Sequence, residues 1–183
     1  GDAEGAGFNV TSTVFFTPIN STGSIGSWAT TTPMPTVRSE HSALIYNGRV
    51  YVVGGMIDQG VNDTSSVIYA SINATGSLGS WATTSPLLAV IEDHGTVIDS
   101  SFMYTIGGID RATGVRTSTV QYARINSNGT LSSWTQTASL PYALELSGVI
   151  ADGGLLYVLG GQTTGALVTS TVLFAPISNT TGT

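Results

Sequence analysis

The chain has no cysteine among its 183 residues. Neither a disulfide framework nor a thiolate metal site can therefore form from this sequence. Lysine is absent too, and the five basic residues are all arginines: Arg38, Arg49, Arg111, Arg116 and Arg124. Charged residues make up 9% of the chain and the net charge is −6. A nucleic-acid surface needs a basic footprint to neutralise phosphates, and five scattered arginines do not supply one. The same shortage argues against electrostatic attachment to anionic lipid. No apolar run approaches the ~20 residues needed to span a bilayer. The opening GDAEGAGFNV lacks the basic and apolar regions of a signal peptide, so an export signal would have been removed or lie outside this segment. Nucleophile elbows, His-Glu-x-x-His, Walker loops and dinucleotide fingerprints are all missing. The sequence accordingly names no catalytic residue, no cofactor and no resident metal.

What it does contain is a repeat. Trp28, Trp81 and Trp134 lie 53 residues apart and close the phrases SIGSW, SLGSW and TLSSW. The doublets Gly54-Gly55, Gly107-Gly108 and Gly160-Gly161 share that spacing, as do Tyr51, Tyr104 and Tyr157. TSTVFF (11–16), TSSVIY (64–69), TSTVQY (117–122) and TSTVLF (169–174) step by 53, 53 and 52. Independent markers on one period identify a repeat architecture.

Each unit reads as four antiparallel strands. EHSALIYNGRVYVVGG (40–55) is two alternating apolar runs about Asn-Gly, a hairpin signal. Residues 93–108 and 146–161 repeat it, turning at Asp99-Ser100-Ser101 and Asp152-Gly153-Gly154. Variable polar loops follow at 56–63, 109–116 and 162–168. Next comes the Thr-Ser strand, then a turn of the NSTG type, then a short strand carrying the tryptophan. Helical periodicity is absent.

Four-stranded units recurring at about 50 residues are the mark of β-propeller blades. At the Gly-Gly doublet, the aromatic two strands on and the tryptophan of the fourth strand, the sequence resembles the kelch repeat family and the related central propeller of galactose oxidase. His41 and His94 match a histidine found at the start of the kelch first strand. The departure is the distance from Tyr69 to Trp81, 12 residues, longer than in typical kelch repeats. The resemblance implies an all-β, kelch-like β-propeller segment, a single domain over 1–183. Its parts are a partial blade (11–36), two blades (38–89 and 90–142) and an incomplete blade (143–183). That is about 3.25 blades, whereas closed propellers typically have 4–8. Three readings follow: a segment of a longer chain, a subunit whose copies complete one another, or an engineered or proteolytic fragment. The expected partners are thus further blades of a longer chain or other copies, with a glycan or protein ligand besides.

Strand order places the variable loops and the connections at 34–40, 86–93 and 139–146 on one face. Arg38, Glu40, His41, Glu92, Asp93, His94 and Glu145 enter there near the axis. Carboxylates and imidazoles in such a ring could bind a polar ligand or a metal. The favoured expectation is that they satisfy backbone groups between blades, because Leu146 and Ser147 interrupt the ring. Asp58, Asp63, Asp110, Arg111 and Arg116 form a second set, read as solvated loop charges. Some kelch-like propellers are enzymes, copper oxidases and sialic-acid mutarotases among them. The oxidase's Tyr–Cys crosslink cannot be made without cysteine, and a mutarotase-like site would have to draw on Arg38, Glu40, His41, Glu92 and His94. The tryptophans are expected to bury area between blades rather than stack on a ligand.

Six Asn-x-Ser/Thr acceptors occur, at Asn9, Asn20, Asn62, Asn73, Asn128 and Asn179. Asparagine is a common turn former, yet this density in a Thr-rich, lysine-free chain points to a glycosylated, extracellular surface module. Its expected role is adhesion, surface or filament assembly, or glycan or protein binding. The alternative is the propeller of a carbohydrate-active enzyme with its site on the axial loops.

Overall fold

Three of the blades start from a two-residue turn that the sequence demands. Asn47 and Gly48 have φ of 44° and 69°, the left-handed pair whose twist matches that of two antiparallel strands. Around this turn β3 (Ser42–Tyr46) pairs with β4 (Arg49–Val53), with Tyr46 opposite Arg49. The computed structural model of the chain describes residues 10–57 and 62–177. No helix occurs among them, so none is long and apolar enough to cross a membrane.

Outward from β4 come β7 (Val67–Ser71) and β8 (Ala82–Thr84), completing a four-stranded antiparallel sheet in the order β3-β4-β7-β8. The next sheet repeats it with β10 (Gly95–Asp99), β11 (Phe102–Ile106), β14 (Val120–Arg124) and β15 (Thr135–Gln136). A two-stranded sheet of β1 (Val14–Phe16) and β2 (Ala29–Thr31) precedes them. A three-stranded sheet of β16 (Gly148–Asp152), β17 (Leu155–Leu159) and β20 (Val172–Pro176) follows. The four sheets are consecutive blades of a partial propeller, with β10 packed between β3 and β16 along the axis.

The core is divided among the blade interfaces. Tyr51, Val53 and Val67 of one blade pack on Met103, Ala123, Ile125, Leu131 and Trp134 of the next. Tyr104, Ile106 and Val120 then meet Leu156 and Val158. Met34 packs with Val52 and Ile68 at the first interface. Alternation supplies both faces, since successive side chains in a strand point to opposite neighbours.

Two expectations need correction. The stretches read as variable loops are short β-ribbons. They pair β5 (Met56–Ile57) with β6 (Asn62–Asp63), β12 (Ile109–Asp110) with β13 (Val115–Arg116), and β18 (Gln162–Thr163) with β19 (Leu167–Val168). Strands of two residues are too short to alternate, so no pattern announced them. The second concerns the tryptophans. Trp134 is 5% exposed and Trp81 half-buried, but Trp28 is 63% exposed, because among the described residues no blade covers the outer face of β1 and β2.

Candidate functional site

The axial connections owe their shape to the glycine doublets. Gly107 and Gly108 have φ of 63° and 98°, and a Cβ at Gly108 would sit 2.5 Å from the Glu92 carbonyl oxygen. A side chain there is excluded by both torsion and space. The amide of Gly55 donates to the Ile91 carbonyl at 2.9 Å, and that of Gly108 to Leu144 at 2.8 Å. The first two doublets thus tie one blade to the connection that enters the next.

These connections pair with the ribbons on the same face. β9 (Ile91–Glu92) joins β12, Ser39 bridges Met56, and Glu145 bridges Gln162. Beyond them Glu40, Asp93 and Leu146, one period apart, all adopt left-handed backbone, with φ of 54°, 51° and 53°. The Asp93 amide donates to the Glu40 carbonyl at 3.2 Å and the Leu146 amide to the Asp93 carbonyl at 2.9 Å. Neighbouring connections are linked at the axis by backbone, whatever the side chain, which is how Leu146 can interrupt the polar ring.

The side chains divide into three groups. Arg38 is structural: its guanidinium donates to the Gly54 carbonyl at 2.7 Å, the Ser66 carbonyl at 3.2 Å and the Ser66 hydroxyl at 2.5 Å. His94 is buried with neither ring nitrogen hydrogen-bonded, and burial together with nearby His41 pushes it down to about 4. His41 is likewise lowered by burial and by Arg38. His94 therefore acts as a neutral apolar filler. Its ring does not satisfy backbone groups, contrary to the sequence expectation, although its main-chain carbonyl accepts from Ser42 Oγ at 3.0 Å.

The third group is acidic. Carboxyl oxygens of Glu40, Glu92 and Asp93 lie within 4.8 Å of one another. Burial, with Glu40 and Asp63 nearby, raises Glu92 to about 8 against the opposing pull of Arg111. Burial and the charges of Glu40 and Glu145 raise Asp93 to about 6. Such a cluster can share protons, and its oxygens are the donors that a hard cation would use.

Three residues assigned to solvated loops, Asp63, Arg111 and Arg116, belong here instead. Arg111 Nε lies 2.6 Å from Glu92 Oε1 and 3.4 Å from Asp63 Oδ2, while Arg116 Nη2 lies 2.5 Å from Glu145 Oε1 and 3.0 Å from Gln162 Oε1. Sequence reasoning missed these pairs, and Gln162 altogether. Glu92 and Glu145 share the period, but Arg111 and Arg116 sit at opposite ends of one ribbon, so no spacing links them. Asp110 holds its own turn, accepting from the Ala112 amide at 2.9 Å, and Asp58 lies outside the described residues.

Of the acceptor asparagines, Asn9 and Asn179 also lie outside the described residues, and the other four are exposed. Asn20 Oδ1 accepts from the Thr22 and Ser24 amides at 3.0 and 3.1 Å, and its amide nitrogen donates to Ser24 Oγ. Asn73 donates to Ser77 Oγ at 3.3 Å. Asn128 Oδ1 accepts from the Thr130 amide at 3.0 Å. Turn chemistry and exposure coexist at these positions.

Comparison with known proteins agrees with this architecture. No family profile matches the chain. It is 27% identical over 154 residues to beta-scruin of Limulus polyphemus, covering 78% of this chain and 16% of that protein. It is 26% identical over 141 residues to mouse Kelch-like protein 38, covering 76% of this chain and 23% of that protein. The chain thus spans under a quarter of either relative. The solved structure of YjhT superposes with a TM-score of 0.68 at 12% identity, over 84% of this chain and 47% of that one. The chain is a run of kelch-type propeller repeats.

Proposed function

We propose that this kelch-type segment is a non-catalytic binding module of an exported, glycosylated surface protein, engaging a protein or glycan through its ribbon-bearing face. One observation carries the reading. The basic groups of that face are engaged in structure, Arg38 on backbone carbonyls and Arg111 and Arg116 on Glu92 and Glu145. Short, sequence-variable ribbons sit beside this fixed framework, an arrangement suited to recognition because ribbons can vary without disturbing the blades. Exposure of Asn20, Asn62, Asn73 and Asn128 supports the glycosylated surface. Secretion from a glycosylating host followed by intact-mass measurement tests that part. Mass in excess of the polypeptide, removed by an N-glycan amidase, is the expected result. The bare polypeptide mass would overturn it.

A specific observation keeps the enzymatic alternative in view. A carboxyl raised to about 8 beside other carboxyl groups, as Glu92 is, resembles the protonated partner of a carboxylate pair in carbohydrate chemistry. Glu92→Gln and Asp93→Asn discriminate between the readings. Unchanged ligand binding with intact folding favours the binding module, whereas loss of turnover on a sugar substrate favours the enzyme.

A further inference from the structure

The acidic group at the axis holds more negative charge than its basic neighbours answer. Arg111 meets Glu92 through Oε1 and also reaches Asp63, while Arg116 meets Glu145 through Oε1. Arg38, two residues before Glu40, is committed to Gly54 and Ser66. Among the described residues no basic side chain pairs with Glu40 or Asp93. Yet Glu40, Glu92 and Asp93 each place a carboxyl oxygen within 4.8 Å of the other two. Carboxylates brought that close repel unless a proton or a cation lies between them.

Two buried oxygens distinguish these cases. Glu92 is 1% exposed, and its Oε2 is buried and meets no donor. Glu145 stands outside the trio, one repeat on from Glu92, and is 3% exposed. Its Oε1 is turned to Arg116, its Oε2 is buried without a donor, and its charge acts on Asp93. The free side of Glu145 therefore faces the trio. A shared proton serves one pair of oxygens and leaves the other buried oxygen with its desolvation cost unmet. A hard divalent cation takes several oxygens at once. Exposed Glu40 and half-buried Asp93 lie above Glu92, which gives an ion a path from solvent.

We propose that Glu40, Glu92 and Asp93, with the free oxygen of Glu145 beside them, form a calcium site at the axial mouth. Two oxygens on one calcium ion lie at most about 5 Å apart, and on one magnesium ion about 4 Å. The 4.8 Å limit of the trio fits the larger ion. Calcium also accepts irregular shells completed by water, whereas magnesium demands a near-ideal octahedron. Leu146, at the equivalent place in the next connection, contributes no oxygen from its side chain and leaves that side to water. Bound there, the ion joins side chains of connections that the backbone already links from Glu40 to Asp93 to Leu146. The site requires neither a partner nor turnover, so it stands apart from both readings of this face given above.

Calorimetric titration of calcium chloride into the chelator-stripped full chain tests this, near neutral pH and at about 0.15 M salt. Saturable one-to-one binding is expected, with Kd on the order of 10⁻⁴ M. The melting temperature should rise with calcium concentration, because the ion binds the folded chain. Magnesium should bind at least tenfold more weakly. Asp93→Asn, which keeps the shape and removes the charge, should weaken calcium binding at least tenfold. Glu40→Gln, at an exposed position, should weaken it several-fold with unchanged circular dichroism, and so keeps the test open if the Asp93 variant misfolds. Asp110→Asn, on the same face but outside the cluster, should leave it unaltered. Absence of saturable binding, magnesium bound as tightly as calcium, indifference to both cluster variants, or an equal loss from Asp110→Asn would overturn the proposal.

Discussion

The indole nitrogen of Trp134 donates to the carbonyl of Ser85, 3.0 Å away and 49 residues earlier in the chain. Trp81 repeats the contact with Thr32 at 3.2 Å and the same separation. Trp81 and Trp134 are therefore each held by the blade before their own. The large apolar ring fills the interface while its one polar atom finds a partner there.

The three tryptophans, alike in sequence, should differ in energetic weight. Trp134→Ala empties a packed site and is expected to cost about 3–5 kcal/mol. Trp28→Ala, on an exposed face, should stay within about 0.5 kcal/mol. Urea denaturation of both variants checks this, and equal losses would contradict the interface account.

Hydroxyls on the preceding blade clamp the tryptophan segment, Thr84 accepting the Leu131 amide at 2.7 Å and Ser85 donating to the Leu131 carbonyl at 2.9 Å. Replacing Thr84 with Val leaves a part-buried amide without its acceptor. A loss of about 1–3 kcal/mol is expected. The Leu131 amide should also exchange faster, which hydrogen-exchange mass spectrometry would read.

The doublet glycines should tolerate no side chain. Gly108→Ala combines φ of 98° with a Cβ 2.5 Å from a carbonyl oxygen, whereas Gly153, with φ of 58°, has open space around it. Strain at the turn should cost about 1–2 kcal/mol. At the doublet, backbone must also move, and the loss should exceed that of the turn variant. Similar melting temperatures for the two variants would refute the distinction.

Stability should depend on pH from two opposing sides. Glu92 is raised to about 8, so the folded chain holds a proton that the unfolded chain releases. That contribution is present below the ordinary glutamate range and is lost as pH rises through 8. His94, lowered to about 4, works in the other direction, its contribution being present above pH 6.5 and lost as pH falls through 4. Glu92→Gln should flatten the decline between pH 6.5 and 8, and His94→Gln the decline on the acid side. Chemical denaturation across pH 4–9 would show either slope persisting if the assignment is wrong.

Much of the fold was legible because a repeat samples one physical solution several times. Asn47-Gly48 announced its hairpin, and the doublets announced a torsion that only glycine adopts without strain. The ribbons were not legible, because two-residue pairs such as Met56–Ile57 with Asn62–Asp63 leave no periodic trace. At the candidate site the period brought Glu40, Asp93 and Leu146 into equivalent positions. It could not foretell that Arg111 would reach Glu92, since that contact obeys no spacing.

The sequence alone determined the blade: its four strands, its turns and the residue that closes it, each dictated by local torsion and alternation. Only the tertiary structure decided what each copy of a motif does. SIGSW, SLGSW and TLSSW are nearly the same phrase, yet Trp28 is exposed, Trp81 half-buried and Trp134 enclosed. Burial belongs to the neighbour that covers a residue, and a neighbour is a property of the assembled propeller. For the same reason a cavity beside Ala175 has no signature of its own in the sequence. It arises from the side chains that the third and fourth blades bring face to face.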